Sequence, residues 1–409
     1  HKICSRLDAN RHEMRLRYNR EGELVEVYNE HGEVCQLAYD LTGKLIGETT
    51  FDGKRLRYKN DAVGRVICFK NGLEQTMELR YDLAGQLIER DLSDGSIEAF
   101  EYDARGDLIN AKGAGVTVRF DRDAMGRVVN ETQTVDGEEH QIKVAYDAVG
   151  NRIERATSLG HTETVARNEL GARTRTVLGR EYMVDHATDL VGREVARILP
   201  GGGRIESTYD PLGQLSRRQA FSGMAHRKVA PSEPAWIGSQ SERPTIDGMY
   251  RYDLDGELIE SLDRRRGRTE YRYDPVGQLL AMMPEKASAE LFRYDSAGNL
   301  FEDGPEGEQM AYGRGNRLLH RGATEYTWDG DGRLVEKRMR KLEGSKEQVW
   351  QYSWNAAGLL SSAEGPDKTL VEFLYDPFAR RIQKRVMRPC EGSSEQLTVS
   401  LTRFIWDGD

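Results

Sequence analysis

A glycine returns every 21 residues along most of this 409-residue chain. Gly22, Gly43, Gly64, Gly85 and Gly106 keep that step, as do Gly150, Gly171, Gly192 and Gly213, and then Gly256, Gly277 and Gly298. The interval from Gly213 to Gly256 is 43 residues, close to two periods. A fixed period of about 20–50 residues marks a stacked array in which each unit buries its face only against its neighbours. It therefore outweighs the two or three domains that length alone would suggest.

Each glycine closes a short phrase, such as YDLTGKLI, YDLAGQLI, YDARGDLI or YDPVGQLL. The residues ahead of it alternate: Ile142, Val144 and Tyr146 share one face, while Lys143 and Ala145 take the other, the period-two signal of a strand. The D-x-x-G that follows predicts a tight turn. Aspartate is favoured first because its carboxylate bonds the backbone two residues on, and glycine last because it reaches positive φ without steric penalty. A second glycine turn comes about ten residues later, as in FDGKR, SDGS, KGAG, VDGEE and PGGGR. Two turns and two strands per period make an antiparallel meander. Leucine-rich repeats share the period but need L-x-x-L-x-L with Asn or Cys, which is absent.

The residues assigned to this structural repeat are Tyr39, Asp40 and Gly43; Tyr81, Asp82 and Gly85; Tyr102, Asp103 and Gly106; Tyr146, Asp147 and Gly150; Tyr209, Asp210 and Gly213; Tyr252, Asp253 and Gly256; Tyr273, Asp274 and Gly277; and Tyr294, Asp295 and Gly298. Degenerate copies have Asn316 or Ala379 at the glycine position, and the alanine predicts a turn of another type. Near the end Trp328, Trp354 and Trp406 replace tyrosine. Some seventeen units give roughly thirty strands and, at about 4.8 Å each, a ribbon roughly 150 Å wide. Open sheets rarely exceed about ten strands without curling, so the expected class is all-β, a long meander curling into a hollow spiral shell. Aromatic rungs, one per unit, would pin the register.

The division expected is repeats over 1–218, an irregular Pro- and Ser-containing insertion or decayed repeat over 219–248, and repeats again over 249–409. Ala281 to Glu290 reads as a shorter helical or loop insertion. Net charge is −9, which argues against nucleic acid as the main partner. There is no run of about 20 apolar residues, so no membrane span is expected. The chain opens at His1 with neither initiator Met nor signal peptide, and a segment of something longer is expected. Four unpaired cysteines fit free thiols in a reducing cytosol.

No constellation in the chain points to chemistry. The acidic pairs Asp253/Asp255 and Asp329/Asp331 lack the Glu that ends a calcium loop, and the repeat turn accounts for both. LPGGGR lacks the Lys-Ser/Thr end of a phosphate loop, no H-E-x-x-H or G-x-S-x-G occurs, and the basic DRRRGRTEYRY fits a hairpin turn with solvated arginines. No catalytic, cofactor-binding or metal-ligating residue is assigned.

The recurrent Tyr-Asp-x-x-Gly-x-Leu phrase resembles the YD-repeat or Rhs family. LDRRRGRTEYRYDPVGQLL, AYGRGNRL, YDPFARRIQKR and the terminal TRFIWDGD resemble the shell region of bacterial polymorphic toxins associated with type VI secretion. That resemblance implies a hollow β-cocoon enclosing a C-terminal toxic domain of the parent until delivery into a target cell. The implied partners are that toxin domain in the lumen, a secretion spike protein with an adaptor or chaperone, and an immunity protein. The implied localisation is the bacterial cytoplasm before export, then secretion. The family's self-cleaving D-P-x-G core, toxin and adaptor region have no counterpart here, because Asp210-Pro211-Leu212-Gly213 and Asp274-Pro275-Val276-Gly277 fall on the 21-residue beat. The alternative is a cell-surface module binding carbohydrate or protein, which a signal sequence or cysteine pairs would favour.

Overall fold

The computed structural model describes residues 2–223, 243–303, 309–340, 347–389 and 396–408. Among these the chain forms strands from Ser5–Leu7 to Gln396–Arg403, with one short 3-10 turn at Arg314–Asn316 and no α-helix. Strand follows strand antiparallel: Val34–Tyr39 pairs with Leu45–Thr49, which pairs with Arg55–Asn60, which pairs with Val66–Lys70. The same succession holds from Thr162–Arg167 to Leu279–Pro284 and from Met310–Gly313 to the last strand. The architecture is all-β, an antiparallel meander.

The D-x-x-G phrase sets each hairpin. The Gly43 N–H donates to the Asp40 carbonyl at 3.1 Å, the Asp40 N–H to the Lys44 carbonyl at 2.9 Å, and Gly43 sits at φ +79°. This is a three-residue loop with its glycine in the left-handed region, a favoured hairpin connection. One residue later the register slips. Ala38 faces Gly47 but Tyr39 faces Leu45, so Ile46 bulges out. The same slip recurs at Tyr81, Tyr102, Tyr146, Tyr209, Tyr252 and Tyr273. A bulge bends its strand and raises local twist.

Two expectations need correction. Ala379 does not change the turn type: it adopts φ +62°, and its N–H donates to the Asp376 carbonyl at 3.0 Å, as a glycine would. The flanking hydrogen bonds hold alanine in a region that costs other residues energy. Ala281–Glu290 is not an insertion either. Leu279–Pro284 is a strand, a short turn follows, and the next strand begins at Glu290. The stretch assigned to 219–248 falls largely outside the described residues. At its margins Leu215–Phe221 pairs with Ile246–Tyr252, Gln219 opposite Asp247.

The chain divides into two compact units. One comprises residues 1–126, 131–139 and 293–409, the other residues 127–130 and 140–292. Some strands alternate between exposed and half-buried positions, as in Glu13–Tyr18 and Arg55–Asn60, while others are half-buried throughout, as in Leu24–Tyr28 and Leu370–Tyr375. In the first unit Val116, Val118, Val135 and Ile382 form a buried cluster with Phe120, Leu374, Phe378 and Trp406 packed against it.

Candidate functional site

The site is a repeated rung and a seam. Each rung begins with the bulge, which leaves a backbone carbonyl without a ladder partner two residues after each mark. The next unit supplies the donor. The Tyr39 hydroxyl donates to the Leu24 carbonyl, Tyr81 to Val66, Tyr102 to Leu87 and Tyr209 to Glu194, each at 2.9 Å. Tyr146 reaches Val128 at 2.9 Å, Tyr273 reaches Leu258 at 3.0 Å, and Tyr375 reaches Leu360 at 2.9 Å. Where tyrosine is missing, another donor takes its place. Asn60 bonds the Leu45 carbonyl, Arg122 that of Leu108, and the indole N–H groups of Trp328, Trp354 and Trp406 those of Leu318, Leu334 and Arg381. A side-chain donor is what the rung requires, and tryptophan supplies one on an apolar body like tyrosine's.

The residue after the mark adds a second tie. Arg65 and Arg193 bond the Asp61 and Asp189 carboxylates at 2.7 Å, and stack over Tyr81 and Tyr209 with the guanidinium 4.7 Å from each ring centre. Tyr252 and Tyr294 end their strands at the same point of the phrase, half-buried. Burial, reinforced by the Asp82 carboxylate, pushes the Tyr102 phenol above its ordinary range, so it is a donor at physiological pH. Tyr102→Phe keeps the ring and strands the Leu87 carbonyl. The expected loss is about 1–2 kcal/mol, readable by chemical denaturation.

The turn carboxylates are held in their charged form. The Thr42 hydroxyl and Lys44 N–H bonding Asp40, the Asp107 N–H bonding Asp103, and the Asn151 side chain bonding Asp147 lower all three acids. A folded value below the unfolded one means stability present above the unfolded range and lost as pH falls through the folded value. Stability should therefore decline below about pH 4. Asn168 shows that an amide fills the role, accepting from the Leu170 and Ala172 N–H groups at 3.1 and 2.9 Å. Asp103→Asn should leave stability near neutral pH unchanged and make the acid-side decline shallower, measured by denaturation midpoints across pH.

The seam was not foreseen. Within the first unit, residues 30–126 and 131–138 run beside the described residues of 295–408 in the same sense. The second turns of the earlier course meet the D-x-x-G turns of the later one. His31 Nε2 lies 3.2 Å from the Asp295 carboxylate, the Glu33 carboxylate accepts from the Gly315 N–H at 3.1 Å, and Asp52 pairs with Arg317. Asp331 accepts from the Gly72 N–H at 3.0 Å, and Asp94 from the Ala356 N–H at 3.1 Å. Gly72 is needed here, because a Cβ would collide with the Gly330 carbonyl. At the far end Arg380 joins Asp376 at 2.7 Å and Glu131 at 2.8 Å, with side-chain exposures of 7%, 0% and 5%. The terminal phrase locks onto the same group. Arg380 donates to the Gly408 carbonyl at 2.7 Å, Gln133 to the Trp406 carbonyl at 2.9 Å, and the Gly408 N–H to Glu131 at 3.2 Å. Arg403 pairs with Glu138 at 2.5 Å.

Among the described residues no group of His, Cys, Asp and Glu is arranged to hold a metal ion, and no helix is long and apolar enough to cross a membrane. Cys4, Cys35 and Cys68 are free thiols.

Two curated relatives match about half of the chain. They are the probable deoxyribonuclease RhsB of Dickeya dadantii (strain 3937), 29% identical over 52% of this chain, and the double-stranded DNA deaminase toxin A of Burkholderia cenocepacia (strain H111), 28% identical over 48%. The matched region is 14% of either relative's length, so the chain corresponds to a small part of such proteins. Among solved structures, TcdB2-TccC3-TEV matches 94% of this chain and 23% of its own at a TM-score of 0.66 and 14% identity. The Photorhabdus luminescens Tc holotoxin pore matches 94% and 24% at a TM-score of 0.65 and 13% identity. These likenesses establish a shared fold. The family model of the teneurin YD-shell matches residues 1–164 and 248–396, most of the chain. The 21-residue Tyr-Asp-x-x-Gly beat, its bulged hairpins and this match make the chain a member of the teneurin YD-shell family.

Proposed function

We propose that the chain is a wall segment of an Rhs-type toxin shell, enclosing a C-terminal toxic domain of the parent protein until delivery into a target cell. The seam carries the proposal. A meander laid edge to edge on itself seals turns that would otherwise stand free, while strands such as Glu13–Tyr18 and Arg55–Asn60 keep one face exposed, which suits a one-layer wall. The names of the relatives, a deoxyribonuclease and a DNA deaminase toxin, support a toxic cargo borne elsewhere in the parent. The wall itself would carry no chemistry. In this role the parent is made in the bacterial cytoplasm and exported through a type VI spike with an adaptor or chaperone. It serves in competition between bacteria, and an immunity protein guards the producer.

Electron microscopy of the parent protein with its C-terminal domain tests this. A hollow wall with added density inside, lost when the C-terminal domain is deleted, is the expected result. A body without a lumen, or density outside the wall, overturns it.

A further inference from the structure

The basic hairpin of the second unit frames a hollow. Strands Ile246–Tyr252, Leu258–Asp263, Gly267–Tyr273 and Leu279–Pro284 lie side by side there. Tyr250 stands opposite Ser261, Ser261 opposite Thr269, Thr269 opposite Pro284, and Tyr271 opposite Met282. Residues opposite one another, and residues two apart on one strand, share a face. These six therefore stand on one face and, with the turns at its end, bound a hollow of about 630 Å³. Small-molecule sites occupy about 300–1,000 Å³. Gly248 gives the Tyr250 ring its room, since a Cβ there would lie 3.0 Å from the phenol oxygen.

Three chemistries meet in it. Tyr250 and Tyr271, both half-buried, supply aromatic surface. Hydroxyls line the middle: Ser261 Oγ lies 3.2 Å from the Tyr271 hydroxyl, and Thr269 stands beside them. The rim is cationic, with Arg265 and Arg266 from one turn and Lys286 from the next, all exposed. Lys286 Nζ donates to the Arg265 carbonyl at 3.2 Å, which ties the two turns together. Among the described residues none of these three side chains forms an ion pair, whereas Arg268 is held by Glu260 at 2.6 Å and Glu270 at 3.0 Å. Arg264 donates to the Pro244 carbonyl. Glu285, just outside, accepts from the Arg268 N–H at 3.0 Å. The Asp263 carboxylate is engaged by its own turn, accepting from the Arg265 and Arg266 N–H groups at 2.9 and 2.8 Å. Three cations and one carboxylate in the lining leave a local charge of +2. The chain as a whole carries −9.

The geometry points to a binding site for a free nucleoside monophosphate in this hollow. The base lies against the tyrosine rings, the sugar meets the hydroxyls, and the phosphate sits on Arg265, Arg266 and Lys286. A phosphate monoester carries about −1.5 to −2 charges at neutral pH, which the rim balances. Guanidinium forks match its oxygens, and an aromatic ring accepts the π-face of any base. A longer strand would carry further phosphates over a surface whose net charge is negative, so the free nucleotide is the better fit. The site does not depend on enclosed cargo, and its failure leaves the encapsulating role untouched.

Isothermal titration of the 409-residue chain at low salt tests it, with adenosine 5′-monophosphate, adenosine, inorganic phosphate and a short single strand ending in the same 5′-phosphate as probes. The monophosphate should bind saturably at one site, and adenosine or phosphate alone should bind about tenfold more weakly or worse, since each keeps only part of the contacts. Arg265→Gln with Arg266→Gln should weaken the monophosphate by about tenfold or more at an unchanged melting midpoint, because the backbone donors to Asp263 remain. Tyr250→Leu should weaken adenosine and its monophosphate alike and leave inorganic phosphate as it was. Should that variant lower the midpoint, the arginine pair decides. No binding of the monophosphate, equal binding of inorganic phosphate, indifference to the arginine pair, or tighter binding of the single strand overturns the proposal.

Discussion

Arg380→Met is expected to destabilise the first unit by about 3–5 kcal/mol, the cost of stranding a buried charge. Arg380 is the only cation in contact with both Asp376 and Glu131 among the described pairs, and all three side chains are nearly or wholly buried. Methionine fills much of the volume but leaves two carboxylates without a counter-charge. It also removes the donor to the Gly408 carbonyl, so the terminal phrase loosens with it. The damage should be regional, because array stability sums local units and their interfaces. Tyrosine rungs far from the seam, such as Tyr209 on Glu194, keep all their partners. Limited proteolysis should therefore cut first between residues 380 and 408 while the second unit stays protected. A triple variant with Glu131→Gln and Asp376→Asn should recover part of the loss, since it removes the stranded charges. Uniform cleavage along the chain, or no change in stability, would show that the triad does not hold the seam.

How much of this was legible follows from how far apart the interacting residues lie. Tyr102, Asp103 and Gly106 sit within one phrase, so turn, bulge and strand could be taken from neighbouring residues. The rung is nearly as local, since Tyr102 bonds Leu87 one unit back, though the carbonyl partner was not anticipated. The clue was the substitution pattern. Tryptophan, asparagine and arginine share a donor with tyrosine, and only the donor is common to Trp354, Asn60 and Arg122. The seam had no local signature. Arg380 and Glu131, or Asp331 and Gly72, are far apart in sequence, and periodicity says nothing about which unit returns beside which. What marked one end of it in retrospect was a departure from the phrase, Phe378-Ala379 in place of x-Gly. Ala379 was misjudged because positive φ was reserved for glycine and asparagine, whereas buried contacts on Pro377 and Arg380 hold the backbone there.

Ile382→Ala should cost about 2–5 kcal/mol, a further large loss, because its side chain has no exposed surface and a cavity would remain. It lies with Val116, Val118 and Val135 in the buried cluster of the chain's described residues. Val116 and Val118 come from the earlier course and Ile382 from the later, so this one side chain joins both. A wall with exposed faces elsewhere has few such places to draw on, and the loss should register fully rather than be absorbed by relaxation. Ile382→Val removes one methylene and should cost only about 0.5–1.5 kcal/mol. Leu262→Ala, on an exposed site of the second unit, should fall within about 0.5 kcal/mol of wild type. Denaturant midpoints for the three variants decide the matter. If Ile382→Ala matches Leu262→Ala, the cluster is not the apolar anchor of the seam, and the polar clamps from His31 to Arg403 would have to hold the two courses together by themselves.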